Sequence, residues 1–247
     1  RNRISQEGAM KPIRPGEPYA AAHLIERQML LSSVRQKAVQ ENPAAEPARG
    51  FRFLTISRYV GSLGDPIASA LASHLGWHVY DREIVDHIAR NSHVRQSLVQ
   101  ELDERAQSLV HDTVQRFLEM IQGGSFGVED YHESLYKTLV FLGTRGKAIL
   151  VGRGANFVLR GHPGLHVGIL ASPEVRVQRL CQIWNTAPDE ARRRMRQCDS
   201  ERRNFIHHHF RRDPDDPGSY DLVFNTDRLS PEQVVDSVKG AMIHQGS

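Results

Sequence analysis

Short apolar runs alternate with longer stretches in which apolar residues recur at helical spacing, and the alternation becomes regular from about residue 51 onward. Phe51-Arg52-Phe53-Leu54-Thr55-Ile56-Ser57 is compact and β-prone and predicts a strand. A loop containing Gly61 and Gly64 follows, then an alanine-rich helix from Ile67 that Gly76 ends. Trp77-His78-Val79-Tyr80 predicts a second strand, and Asp81 is placed to cap a helix over 82–89. Residues 94–146 read as helices broken around Gly123-Gly124-Ser125-Phe126-Gly127, an insertion-like section. Strands are predicted over 147–151, 165–170 and 220–225, with Pro173 in the first turn of the intervening helix, where a missing N–H costs nothing. Ser230-Pro231-Glu232-Gln233 opens the last helix. Strands alternating with helices predict an α/β fold whose mostly parallel sheet is covered on both faces.

The first fifty residues lack this apolar density and end in a Pro/Ala/Glu run over 41–50 that reads as a linker. Two regions follow, residues 1–50 as tail, helix and linker, and residues 51–247 as the folded domain. Within the first, Leu24, Ile25, Met29, Leu30, Leu31, Val34 and Ala38 approach an amphipathic helical spacing. That helix is expected to pack on its own domain, with a homo-oligomer or partner contact as the alternative.

Charge and cysteines narrow the class. A net charge of only +3 does not demand a nucleic-acid partner, although Arg192, Arg193, Arg194, Arg196, Arg202, Arg203, Arg211 and Arg212 crowd into one stretch. Such a stretch serves a polyanion, an RNA or DNA surface, or a solvated helix face. No aromatic stacking pattern supports the nucleic-acid option. Cys181 and Cys198 form neither a disulfide framework nor a zinc spacing and suit a reducing cytoplasm. Without an apolar stretch of membrane length or a charged-then-apolar leader, a cytoplasmic protein with no membrane association is expected.

In a parallel sheet, ligands lie beyond the carboxyl ends of the strands. Three informative segments fall there: the Gly61/Gly64 loop, Gly152-Arg153-Gly154, and the loop after Asn225. The glycines of the first let backbone N–H groups turn toward an anion at the N-terminus of the following helix, and Ser62 adds a hydroxyl. An ordinary tight turn would use the same two glycines. Arg153, between two glycines, leaves its guanidinium free for two parallel bonds to a phosphate, or for an ion pair that staples the loop. An arginine-rich lid around Arg202 and Arg203 could surround a transferring phosphoryl group with cations while excluding water. The run His207-His208-His209 cannot cage one ion by itself, because adjacent helical residues point about 100° apart. No metal site is expected there, nor at His162 or His166.

Five segments in order now carry a resemblance: Ile56-Ser57-Arg58 with Gly61-Ser62 and Gly64, Tyr80-Asp81-Arg82-Glu83-Ile84-Val85, Val151-Gly152-Arg153, Asp199-Ser200-Glu201-Arg202, and Tyr220-Asp221-Leu222 with Asn225. Together they resemble the cytidylate kinase-like family of P-loop proteins. The resemblance implies a P-loop NTPase-type three-layer sandwich of five parallel strands flanked by helices, with a helical insertion and an arginine-rich lid. It also implies a nucleoside monophosphate kinase, with ATP and Mg²⁺ as cofactors and a CMP-like nucleotide as acceptor. By position, Arg58, Gly61, Ser62, Gly64 and Asp65 would hold ATP phosphates. Asp81 and Arg153 would face the acceptor. Arg58, Arg202 and Arg203 would supply catalytic charge. The loop departs from G-x-x-x-x-G-K-[ST] by lacking the lysine, a trait shared with the family's G-S-G-G-R-E form, and by placing acidic Asp65 where that form has arginine. His87 stands where cytidylate kinases have a phosphate-binding arginine. A nucleotide-binding sensor or scaffold of the same fold that has lost catalysis is the alternative.

Overall fold

The computed structural model describes residues 50–100, 102–121 and 129–243. The expected N-terminal helix, the linker and the glycine break at 123–127 lie outside them.

Five strands form one sheet: β1 (Phe53–Arg58), β2 (His78–Tyr80), β3 (Ala148–Val151), β4 (Gly164–Leu170) and β5 (Leu222–Asn225). They lie in the order β2-β3-β1-β4-β5, every pair parallel. β3 is buried throughout and β4 nearly so, as strands covered on both faces must be, which explains their unbroken apolar runs. Edge strand β5 instead alternates half-buried and exposed residues.

On one face α1 (Gly64–Leu75) and α9 (Pro231–Ile243) set Ile67, Leu71, Val234 and Val238 against Leu54, Ile56, Ile149 and Val167. On the other lie α5 (Glu129–Arg145) and the short α6 (Ala155–Val158). There a Cβ at Gly164 would stand 2.0 Å from the Phe53 ring, so that ring fills the space a side chain would need. The result is the three-layer P-loop NTPase-type sandwich expected. Before α5 the chain forms α2 (Arg82–Arg90), α3 (Ser92–Gln100) and α4 (Glu104–Ile121), the helical insertion.

A hairpin of α7 (Pro173–Trp184) and α8 (Pro188–Phe210) has its own small core of Val177, Leu180, Ala191 and Met195, against which Val60 packs. The arginine-rich stretch continues through residues 199–204 without a break, and α8 is one helix of 23 residues. Nothing in that segment breaks a helix, since it holds neither Gly nor Pro, and Glu201, Arg202 and Arg203 are good helix formers. α1 likewise begins three residues before Ile67, because Pro66 falls in the first turn, where no N–H is needed. α6, with four residues, is too short to show a period.

Candidate functional site

The carboxyl ends of β1, β2 and β3 open on a cleft of about 660 Å³, closed on its far side by α8. Arg58, Arg82, Arg153 and Arg202 reach it from four different elements.

The loop from β1 to α1 is shaped by two left-handed residues, Gly61 at φ 79 and Leu63 at φ 64. A side chain at Gly61 would meet Leu180 at 3.0 Å, so the loop lies directly against α7. Leu63 adopts the same conformation with a side chain, at a cost of roughly 1–2 kcal/mol. Gly64 is required by close approach, because a Cβ there would lie 2.5 Å from the Arg58 Cβ folded over it. Arg58 Nε donates to Asp65 Oδ1 at 2.9 Å, and Arg58 Nη1 lies 3.1 Å from where a Cβ on Gly152 would stand. Ser62 turns inward. Its buried hydroxyl donates to the Tyr59 carbonyl at 2.8 Å and lies 3.2 Å from that of Ile169, so it braces the loop and does not face the cleft.

After β3, Gly152, Arg153 and Gly154 are left-handed in succession, at φ 80, 53 and 69. This tight reversal turns Arg153 toward α2, where it pairs with Asp86, both side chains largely buried. Asp86 also accepts from the Tyr131 hydroxyl at 2.8 Å. Burial and this bond push Tyr131 up to about 12. Arg153 stacks on the Phe205 ring at 4.3 Å, and its Nε is buried with no hydrogen-bond partner. Asp81 lines the cleft, but its Oδ1 accepts from Ile84 N at 2.9 Å and caps α2.

α8 brings Arg202 and Arg203 to the loop. Arg202 donates to Ser57 Oγ at 2.8 Å, and its guanidinium lies 4.7 Å from the Tyr59 ring centre. Arg176 of α7 also lies 4.7 Å from that centre, so two cations flank one loop tyrosine. Arg176 donates to both oxygens of Asp199, at 2.7 and 2.8 Å, and through Nε to the Val60 carbonyl at 2.8 Å. Asp215, beyond α8, accepts from Arg203 at 3.0 Å and from the Tyr59 hydroxyl. Burial opposes its charge, but Tyr59, Arg203 and Arg202 outweigh it and hold the carboxyl below its ordinary value. Burial, with Asp215 alongside, raises Tyr59.

The arginine cluster therefore divides. Arg202 and Arg203 meet the loop, while Arg192 and Arg193 make helical-spacing pairs with Asp189 and Glu190 on an exposed face. Cys198 lines the cleft with a thiol raised by burial, a form unsuited to nucleophilic attack. The structural partners absent from the sequence reading are Tyr59, Asp86, Arg176 and Asp215. Asp215 alone had a signal, since Asp213-Pro214-Asp215-Asp216 is an acidic turn after a basic helix.

Five parallel strands, a tight glycine loop between β1 and α1 and a basic cleft at the strand ends fit a P-loop kinase-like fold. A family model described as the cytidylate kinase-like family matches residues 53–228, and the chain belongs to that family. No curated protein matches it. Among solved structures, an uncharacterised protein from Eubacterium ventriosum shares the fold at 18% identity and TM-score 0.61, covering 77% of this chain and 97% of its own. Shikimate kinase from Bacteroides thetaiotaomicron aligns over 77% of this chain and 97% of its own, at 16% identity and TM-score 0.42. Among the described residues no helix is long and apolar enough to cross a membrane.

Proposed function

We propose that the protein is a nucleoside monophosphate kinase that transfers the γ-phosphoryl group of ATP, taken with Mg²⁺, to a nucleotide of CMP type. The observation that carries this reading is the convergence of Arg58, Arg82, Arg153 and Arg202 on one cleft at the carboxyl ends of a parallel sheet. A phosphate-bearing ligand fits these residues, because the buried Nε of Arg153 lacks a partner that an anion would provide. Asp65, an exposed carboxylate in the first turn of α1, is the hard oxygen donor suited to Mg²⁺. ATP with Mg²⁺ would supply the phosphoryl donor and offset its charge.

The chain's own part is positioning and charge. Gly61, Leu63 and Gly64 shape the loop that holds donor phosphates, with Ser62 as its internal brace. Arg153 and Asp81, which line the same cleft, face the acceptor. Arg58, Arg202 and Arg203 are held ready by Asp65 and Asp215, and each can exchange a carboxylate for a phosphate oxygen of the same geometry. α8 excludes water by closing on the loop.

A coupled assay with each nucleoside monophosphate under Mg²⁺ should give ADP formation that depends on one of them, CMP foremost. Absence of turnover with every nucleotide removes this reading. The alternative is a catalytically silent nucleotide sensor, favoured by acidic Asp65 in the loop and by Leu63 held at φ 64. It predicts calorimetric binding of ATP or CMP without turnover.

A further inference from the structure

The last turn of α8 carries His207-His208-His209, and α5 presents His132 to the same place. The His132 ring stands edge-on to that of His209, with centroids 4.3 Å apart and planes at 89°. His208 meets His209 at 5.0 Å and 90°, and His132 at 6.1 Å and 66°. One ring nitrogen from each of the three lies within 4.8 Å of the others. His207 is exposed and outside the group. The geometric objection to three adjacent helical histidines thus still applies to the run, but the fold replaces one member with a ring from another helix.

We propose that His132, His208 and His209 bind a divalent metal ion of the zinc class, joining α5 to α8. Three imidazoles suit Zn²⁺ and its first-row neighbours, whereas Mg²⁺ and Ca²⁺ require oxygen donors. Three protein ligands around zinc leave a fourth position for water. Exposed His208 puts that position within reach of solvent. Tetrahedral zinc–nitrogen bonds of about 2.0–2.1 Å set the nitrogens about 3.4 Å apart, so ring rotations of about an ångström close the set.

A further observation points to a ligand. His209 Nδ1 is buried with no hydrogen-bond partner, a costly state that a bound cation would relieve. An imidazole binds a metal through the lone pair of its neutral form. Arg153, whose charge acts on His209, is already paired with Asp86. The Phe205 ring lies 4.2 Å from His209 and 4.3 Å from the Arg153 guanidinium. A metal here would therefore fix the turn of α8 that faces the cleft. The site does not depend on the kinase reading.

The test uses the full chain without a polyhistidine tag, titrated with Zn²⁺ against a chromophoric chelator. One equivalent should bind with submicromolar affinity, and Co²⁺ should give intense visible bands of a four-coordinate site. His132→Gln and His208→Gln should each weaken binding at least about 10-fold, with His207→Gln unchanged. Zn²⁺ should raise the unfolding temperature of the parent but not of His132→Gln. Circular dichroism checks that each variant is folded, and His208→Gln, altered at an exposed residue, carries the comparison if His132→Gln is not. The proposal is overturned if the parent takes up no stoichiometric Zn²⁺. It also fails if folded His132→Gln binds as tightly as the parent, for then the helical run alone would hold the ion.

Discussion

Arg58 Nε donates to Asp65 Oδ1 at 2.9 Å across the glycine loop, so the acid that heads α1 is held against the guanidinium that leaves β1. In isolation Asp65 would repel a phosphate, but as one half of this pair it instead occupies a cation that a phosphate would use.

Replacing Asp65 with Asn frees Arg58 and removes one negative charge from the loop. ATP binding measured calorimetrically without Mg²⁺ is expected to tighten about 5-fold, equivalent to about 1 kcal/mol. With Mg²⁺ the gain should shrink, since Asp65 then has a cation of its own. Asp65→Arg should act in the same direction. Stability should change by less than about 1 kcal/mol, because the Asp65 side chain is 69% exposed. Folded variants that bind ATP no better than the parent would mean that this loop does not hold its phosphates.

The fold was readable because each strand of the sheet carries an unbroken or alternating apolar run with a glycine or a cap beside it. Gly76 at φ 66 and the Asp81 cap appear where the residue types put them. The cleft was less readable. Sequence marks Arg58, Arg153 and Arg202 as cations at strand ends or on a lid, but their partners come from distant elements, as Arg153 with Asp86 and Arg202 with Asp215. The inward turn of Ser62 depends on the Ile169 carbonyl of β4, 107 residues away. The histidine group was hidden for the same reason. Its third ring stands on α5, and helical geometry applied to His207, His208 and His209 alone gives the opposite expectation.

Asp199 offers a test of how the α7–α8 hairpin is held to the loop. Arg176 is 5% exposed and Asp199 18%, and the pair is bidentate, while Arg176 also fixes the Val60 carbonyl. Asp199→Ala strands a buried guanidinium, and the loss should be about 3 kcal/mol, toward the range for breaking a buried pair. Asp199→Leu combined with Arg176→Met should cost less than Asp199→Ala alone. Thermal unfolding checks both, with a fall of roughly 6–12 °C for the single variant. A single variant as stable as the parent would show that the pair is not what anchors the hairpin.

At the opposite end of the sheet, His166 links stability to pH. It is 7% exposed, and its Nδ1 lies 2.8 Å from Thr55 Oγ1. Burial lowers its pKa against the opposing pull of Asp221, and Arg160 and His162 act with burial. In the unfolded chain the imidazole titrates near its ordinary value of about 6.5. Between that value and the lower folded one, the unfolded state binds more protons, so stability rises with pH across this window. Acidification from neutral pH should therefore begin to destabilise the fold as pH drops through about 6.5, and the His166 contribution should level off below its folded value. One full proton is worth about 1.4 kcal/mol per pH unit, which sets the ceiling on this residue's slope. His162 is also lowered by burial and adds to the same trend. Urea unfolding at half-unit intervals from neutral to acid pH should show the slope in the parent and a shallower one in His166→Asn. Equal slopes in the two proteins would assign the acid sensitivity to other groups and remove His166 from the account.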